Sequence, residues 1–167
     1  MWLPKGDIVI ARIPKAGIKS IGASLARYGE MNTHISTDEA REYPTRLAFL
    51  RNPFERLKSG YSFFNDLCNN GRNIHSNGEM HQISRSWESF VDYILAEPDV
   101  HWNPQVDVIE DAASNLHKFE DIQTVWSDYF PVPLQHRGKT ARLPTDDYRH
   151  DDIAEFYKED LKLWHSL

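Results

Sequence analysis

Two short apolar runs, each followed directly by a loop and a helical stretch, constrain the fold of this chain more than any other feature. Asp7-Ile8-Val9-Ile10-Ala11-Arg12 is rich in branched apolar residues and reads as a buried strand. Beyond the loop Ile13-Pro14-Lys15-Ala16-Gly17, the residues Ile21, Leu25 and Tyr28 recur at helical spacing as far as Gly29, a suitable C′ residue. Arg46-Leu47-Ala48-Phe49-Leu50-Arg51 repeats the strand pattern. Asn52 then suits an N-cap, Pro53 the first helical position and Glu55 the third, a capping box ahead of the apolar face Phe54, Leu57, Tyr61 and Phe64. Two such units in close succession predict βαβ architecture with a parallel sheet.

The rest of the chain punctuates less clearly. Residues 66–85 hold two Gly and four Asn without periodicity, and are expected to form a lid or a disordered insertion. Trp87, Phe90, Val91 and Ile94 predict a helix capped by Ser86 and stopped before Pro98. Residues 32–36 are a candidate strand between the two loops, and 106–109 and 116–119 are weaker strand candidates. A last helix is expected from Asp152, with Glu155 at its third position, burying Ile153, Phe156, Tyr157, Leu161 and Trp164. The 167 residues suit a single domain over 1–167.

Charge narrows the function classes. A net charge of −6 argues against a nucleic-acid binder. Yet Arg12, Lys15, Lys19, Arg51, Arg56 and Lys58 gather around the two loops, whereas Asp107, Glu110, Asp111, Asp146, Asp147, Asp151 and Asp152 come later. A local cationic pocket in an acidic protein suits a compact polyanion. No apolar run approaches the ~20 residues that span a bilayer, and the opening Met1-Trp2-Leu3-Pro4-Lys5-Gly6 is unlike a signal peptide. The expectation is a cytoplasmic protein without membrane contact, or an excised domain. One cysteine, Cys68, excludes an intrachain disulfide and a cysteine-based zinc cluster. The histidines at 75, 81, 117, 150 and 165 lack metal-ligand spacing, so no metal is expected.

In open parallel sheets ligands bind where strands end and helices begin. At the first such point stand Pro14, Lys15, Ala16, Gly17, Ile18, Lys19 and Ser20. A glycine-containing turn leading into a helix offers backbone N–H groups to an anion, with lysine charge and a hydroxyl beside them. A solvated surface turn would have the same composition. The loop lacks both glycines of a Walker A motif, having Ile13 and Ile18 at those positions. At the second point, Arg51 and Ser59 supply a guanidinium fork and a hydroxyl suited to a phosphate monoester, with Arg56 and Lys58 adding to the field. The alternative there is an ordinary Arg51–Glu55 pair with Ser59 incidental.

Together the two segments resemble the nucleotide-binding motifs of sulfotransferases that use 3′-phosphoadenosine 5′-phosphosulfate (PAPS). Residues 13–21 are similar to the 5′-phosphosulfate loop, Pro-Lys-x-Gly/Ala-x-x-Ser/Thr, and 50–61 to the 3′-phosphate motif, Arg-Asp/Asn-Pro-x-x-Arg-x-x-Ser-x-Tyr. His101-Trp102-Asn103-Pro104-Gln105, Lys118-Phe119-Glu120-Asp121-Ile122 and residues 157–164 resemble further blocks of the Golgi-type carbohydrate sulfotransferases. Ala16 replaces a frequent Thr, and Lys19 stands where a hydroxyl residue is commoner.

The resemblance implies an α/β, P-loop-like three-layer fold with a short, mainly parallel sheet flanked by helices. It also implies transfer of a sulfuryl group from PAPS to a hydroxyl of a carbohydrate-like or other small acceptor, leaving adenosine 3′,5′-bisphosphate. Lys15 would stabilise the departing nucleotide, Lys19, Ser20 and the backbone of 16–19 would hold the 5′-phosphate, and Arg51 and Ser59 the 3′-phosphate. Arg137, Gly138 and Lys139, in a late basic turn, would close over the nucleotide. His101 is the first candidate general base and His34 the second, with Glu30 and Glu39 as further candidates. Trp102 is the tryptophan to test for sugar stacking. A magnesium-dependent P-loop kinase or NTPase, and a non-catalytic nucleotide-binding relative, are the competing readings.

Overall fold

The computed structural model describes residues 2–28, 34–69, 86–98, 101–136 and 141–167. Its sheet has the order β1-β2-β3-β4, formed by Trp2–Lys5, Ile8–Ala11, Thr45–Leu50 and Asn115–Lys118. β1 and β2 form an antiparallel hairpin turned at Gly6, whose φ of 57° suits glycine. β2, β3 and β4 run parallel, with Ile10 opposite Leu47 and Leu50 opposite Lys118.

Alternation along the strands builds two cores. Val9, Ala11, Ala48 and Leu50 face Ile13, Ala16, Ala40, Ile109 and Ala112 on one side. Ile10, Leu47 and Phe49 face Ile21, Leu25, Ile122, Trp126 and Phe130 on the other. The result is a mixed α/β fold with helices flanking a four-stranded sheet.

β2 leads into α1 (Ile18–Leu25), extended by a 3-10 turn over Ala26–Tyr28. α2 (Thr37–Arg41) precedes β3, and α3 (Pro53–Asn69) follows it. Asn52 caps α3 as expected, its Oδ1 accepting from Phe54 and Glu55 N–H at 3.1 and 3.3 Å. α4 (Trp87–Ala96) is capped by Ser86, again as expected. Then come α5 (Gln105–Ile109), β4 and α6 (Ile122–Tyr129), followed by α7 (His150–Phe156) and α8 (Lys158–Ser166).

Several boundaries differ from the sequence expectation. Residues 66–69 continue α3, so only 70–85 remain of the expected loop, and they lie outside the described residues. Residues 106–109 are helical, because the Asp160 carboxylate accepts the first N–H groups of this short helix, a cap 54 residues away in sequence. The candidate strand at 32–36 reduces, among the described residues, to one antiparallel bridge between Ile35 and Trp2. It lies beside β1, because β2 and β3 pair directly with each other. The final helix begins at His150 and breaks at Tyr157, whose hydroxyl donates to the Trp102 carbonyl at 2.7 Å. Ile153 and Tyr157 are buried, while Phe156, Leu161 and Trp164 are half-buried. Among the described residues no helix is long and apolar enough to cross a membrane.

Candidate functional site at the strand ends

The parallel β2 and β3 are neighbours, so the loops that follow them emerge side by side. The first loop is built on left-handed backbone at Lys15 (φ 64°) and Gly17 (φ 80°). Gly17 carries a second constraint. A Cβ there would lie 2.7 Å from Phe119 Cε2, so the Phe119 ring packs where only glycine leaves room. Ser20 and Ile21 donate their N–H groups to the Gly17 carbonyl, at 2.9 and 3.0 Å. The N–H groups of Gly17, Ile18 and Lys19 have no acceptor among the described residues. Unpaired N–H groups in a turn leading into a helix N-terminus suit an anion.

Arg51 joins the second loop to the first. Its Nη1 donates to the Lys15 carbonyl at 3.1 Å, and its guanidinium carbon lies 5.2 Å from the Phe119 ring centre. The Lys15 and Lys19 ammonium groups share the Phe63 ring, at 3.7 and 4.3 Å from its centre. Burial, followed by the charges of Lys19 and Arg51, lowers the Lys15 pKa from 10.5 to about 7. Three cations therefore crowd one end of the sheet. Burial also lowers the Arg51 pKa, with Arg142 adding to it and Glu55 and Glu120 opposing it. Ser59 is half-buried on α3, one turn before Phe63.

Arg142 is the cation that the sequence reading missed. Its Nη1 lies 2.7 Å from Glu55 Oε2, which brings its charge to the neighbourhood of Arg51. Its only sequence signal was a basic residue in a stretch without periodicity.

Arg56 does not extend the cationic field as expected. It is 3% exposed, and its guanidinium donates to the carbonyls of Pro14 (3.0 Å), Asn103 (2.9 Å) and His101 (3.0 Å). It thus ties the first loop to the His-Trp-Asn-Pro-Gln segment. Within that segment Trp102 is 2% exposed and packs against Phe64, Phe90 and Gly60, which excludes it as a sugar-stacking surface. The half-buried His101 ring packs against Phe64, with centroids 5.7 Å apart.

The other candidates separate. His34 is exposed beside the end of β2, and its Nε2 accepts from Arg12 Nη1 at 2.9 Å. The Glu39 carboxylate accepts from the Ser36 N–H and hydroxyl, which hold its pKa below the ordinary value. It completes the α2 capping box and is a poor proton acceptor. Glu30, Arg137, Gly138 and Lys139 lie outside the described residues. No group of three or more His, Cys, Asp or Glu among the described residues is placed to hold a metal ion.

Comparison with known proteins adds one match. The model of the sulfotransferase family matches residues 3–130, which include both loops and the His-Trp-Asn-Pro-Gln segment. No curated protein and no solved structure matches the chain.

Proposed function

The chain belongs to the sulfotransferase family, and on that premise we propose that it transfers a sulfuryl group from PAPS to a hydroxyl of a carbohydrate-like acceptor, in line and without a metal. The observation that carries this reading is the bond from the Arg51 guanidinium to the Lys15 carbonyl, which joins the second loop to the first. One nucleotide bearing phosphates at both ends suits that arrangement. In this reading the fold is P-loop-like, residues 1–167 form one domain, and the single cysteine goes with a cytoplasmic setting.

When bound, PAPS supplies an activated sulfuryl group on a phosphate leaving group. The protein's part is positioning and charge. Lys15 neutralises charge developing at the bridging oxygen. The backbone of 16–19, with Pro14 and Ile18 shaping the turn, holds the 5′-phosphate together with Lys19 and Ser20. Arg51 and Ser59 hold the 3′-phosphate, and Arg142, released from Glu55, joins them. Arg137, Gly138 and Lys139 cover the nucleotide. His101 takes the acceptor proton. His34 is the second candidate; its proton-accepting nitrogen is Nε2, which must exchange the Arg12 donor for the acceptor hydroxyl.

The test is transfer of ³⁵S from labelled PAPS to a panel of saccharides and small alcohols. Label should appear on a saccharide, and Arg51→Ala should raise the donor KM about tenfold or more, as loss of a charge-assisted fork does. Nucleotide binding without transfer to any acceptor would leave the non-catalytic reading standing.

A further inference from the structure

The groups that set Arg51 in place lie far from either loop in sequence. Pairing of β3 with β4 ends at Leu50 opposite Lys118, so the Arg51 peptide has passed the last strand partner. The Gln105 side chain takes over. Its Oε1 accepts from the Arg51 N–H at 3.0 Å, and its Nε2 donates to the Arg51 carbonyl at 2.8 Å. A carboxamide carries donor and acceptor side by side, so one side chain can grip the N–H and carbonyl of one residue as a neighbouring strand would. Gln105 is 1% exposed, and water does not compete for these bonds.

Gln105 is itself held. Asp160, also 1% exposed, accepts from Gln105 N–H at 2.8 Å, Gln105 Nε2 at 3.2 Å and Val106 N–H at 2.9 Å. Donation of Nε2 to Asp160 fixes which end of the amide faces which Arg51 group. Asp160 sits on α8, thirty residues beyond the last residue of the family match at 130. One turn earlier, Tyr157 anchors the carbonyl of Trp102. The C-terminal helices are thus coupled through buried hydrogen bonds to the residue that bridges the two loops.

We propose that Gln105 and Asp160 are positioning residues for recognition of the 3′-phosphate: the Gln105 amide orients the Arg51 peptide, and Asp160 orients the amide. The proposal rests on the reading that Arg51 takes the 3′-phosphate. It assigns the C-terminal helix a part in nucleotide selectivity.

The readout is a ratio, the Kd of adenosine 5′-phosphate over that of adenosine 3′,5′-bisphosphate, measured by calorimetry on folded protein. Arg51→Ala should collapse it. Gln105→Met, similar in volume but without the paired bonds, should lower it about tenfold, the effect of about one buried hydrogen bond, while leaving the affinity for adenosine 5′-phosphate unchanged. Asp160→Asn, which keeps Gln105 and its volume, should lower the same ratio by a smaller factor. It serves as the test if Gln105→Met does not fold. Arg51→Ala combined with Gln105→Met should lose no more selectivity than Arg51→Ala alone. Equal weakening of both nucleotides in the Gln105 and Asp160 variants would assign them a purely structural role and overturn the proposal. So would an unchanged ratio in those variants beside a collapsed one in Arg51→Ala. An unchanged ratio in Arg51→Ala would instead overturn the reading of Arg51 itself, and this proposal with it.

Discussion

Replacing Lys15 with methionine should stabilise the nucleotide-free protein at pH 6 while abolishing its use of nucleotide. The folded pKa of Lys15 is about 7 against an ordinary 10.5, so between those values the unfolded chain binds the extra proton and stability rises with pH. Below pH 7 both states carry the charge, and the cost of holding it in the folded state is fully present. At 1.36 kcal/mol per tenfold in proton affinity the ceiling is about 5 kcal/mol. Partial exposure, and loss of the contact with Phe63, reduce the expected gain to about 1–3 kcal/mol. For a chain of this size that is about 3–8 °C in Tm. Calorimetry in two buffers of different ionisation enthalpy completes the assay. At pH 8.5 the wild type should take up about one proton on binding adenosine 3′,5′-bisphosphate, as the phosphate restores the ammonium, and the variant none. A Lys15→Met protein no more stable than wild type at pH 6, or wild-type binding without proton uptake, would refute this account of the site.

Two further substitutions probe how the site is supported. Gly60→Ala lies in the middle of α3, where alanine ordinarily gains about 1 kcal/mol, but a Cβ there would clash with Trp102 Cζ3. The net change in urea denaturation should be a loss of about 1–3 kcal/mol. Arg56→Met removes the donor from three carbonyls and should cost at least about 3 kcal/mol in the same assay. It should also weaken nucleotide binding, because the Pro14 loop loses its tie to His101 and Asn103.

What could be read from the sequence was whatever is local. The apolar runs at 7–12 and 46–51 fixed two parallel strands, and Asn52 and Ser86 announced their helices through side chains that cap within three residues. Residues 106–109 were misread because their helix is capped by Asp160 from another element. β1 was overlooked because Pro4 and Lys5 interrupt its apolar pattern. Lys15 and Arg51, the proposed binding residues, were visible as types in motifs, but their contact is a product of strand order. Arg56 was assigned to the cationic field because its charge is legible in sequence and its three carbonyl partners are not. Arg142 was missed for the converse reason, since it reaches Glu55 from a stretch with no pattern of its own.

The central claim is that one bisphosphorylated nucleotide spans the two loops without a metal. Thermal denaturation with adenosine 3′,5′-bisphosphate and no magnesium, set beside ATP with magnesium, tests it most directly. At about 100 times its Kd the bisphosphate should stabilise the fold by about 2.7 kcal/mol, or about 5–10 °C in Tm, and ATP with magnesium should do far less. Stabilisation by ATP with magnesium, and none by the bisphosphate, would contradict it.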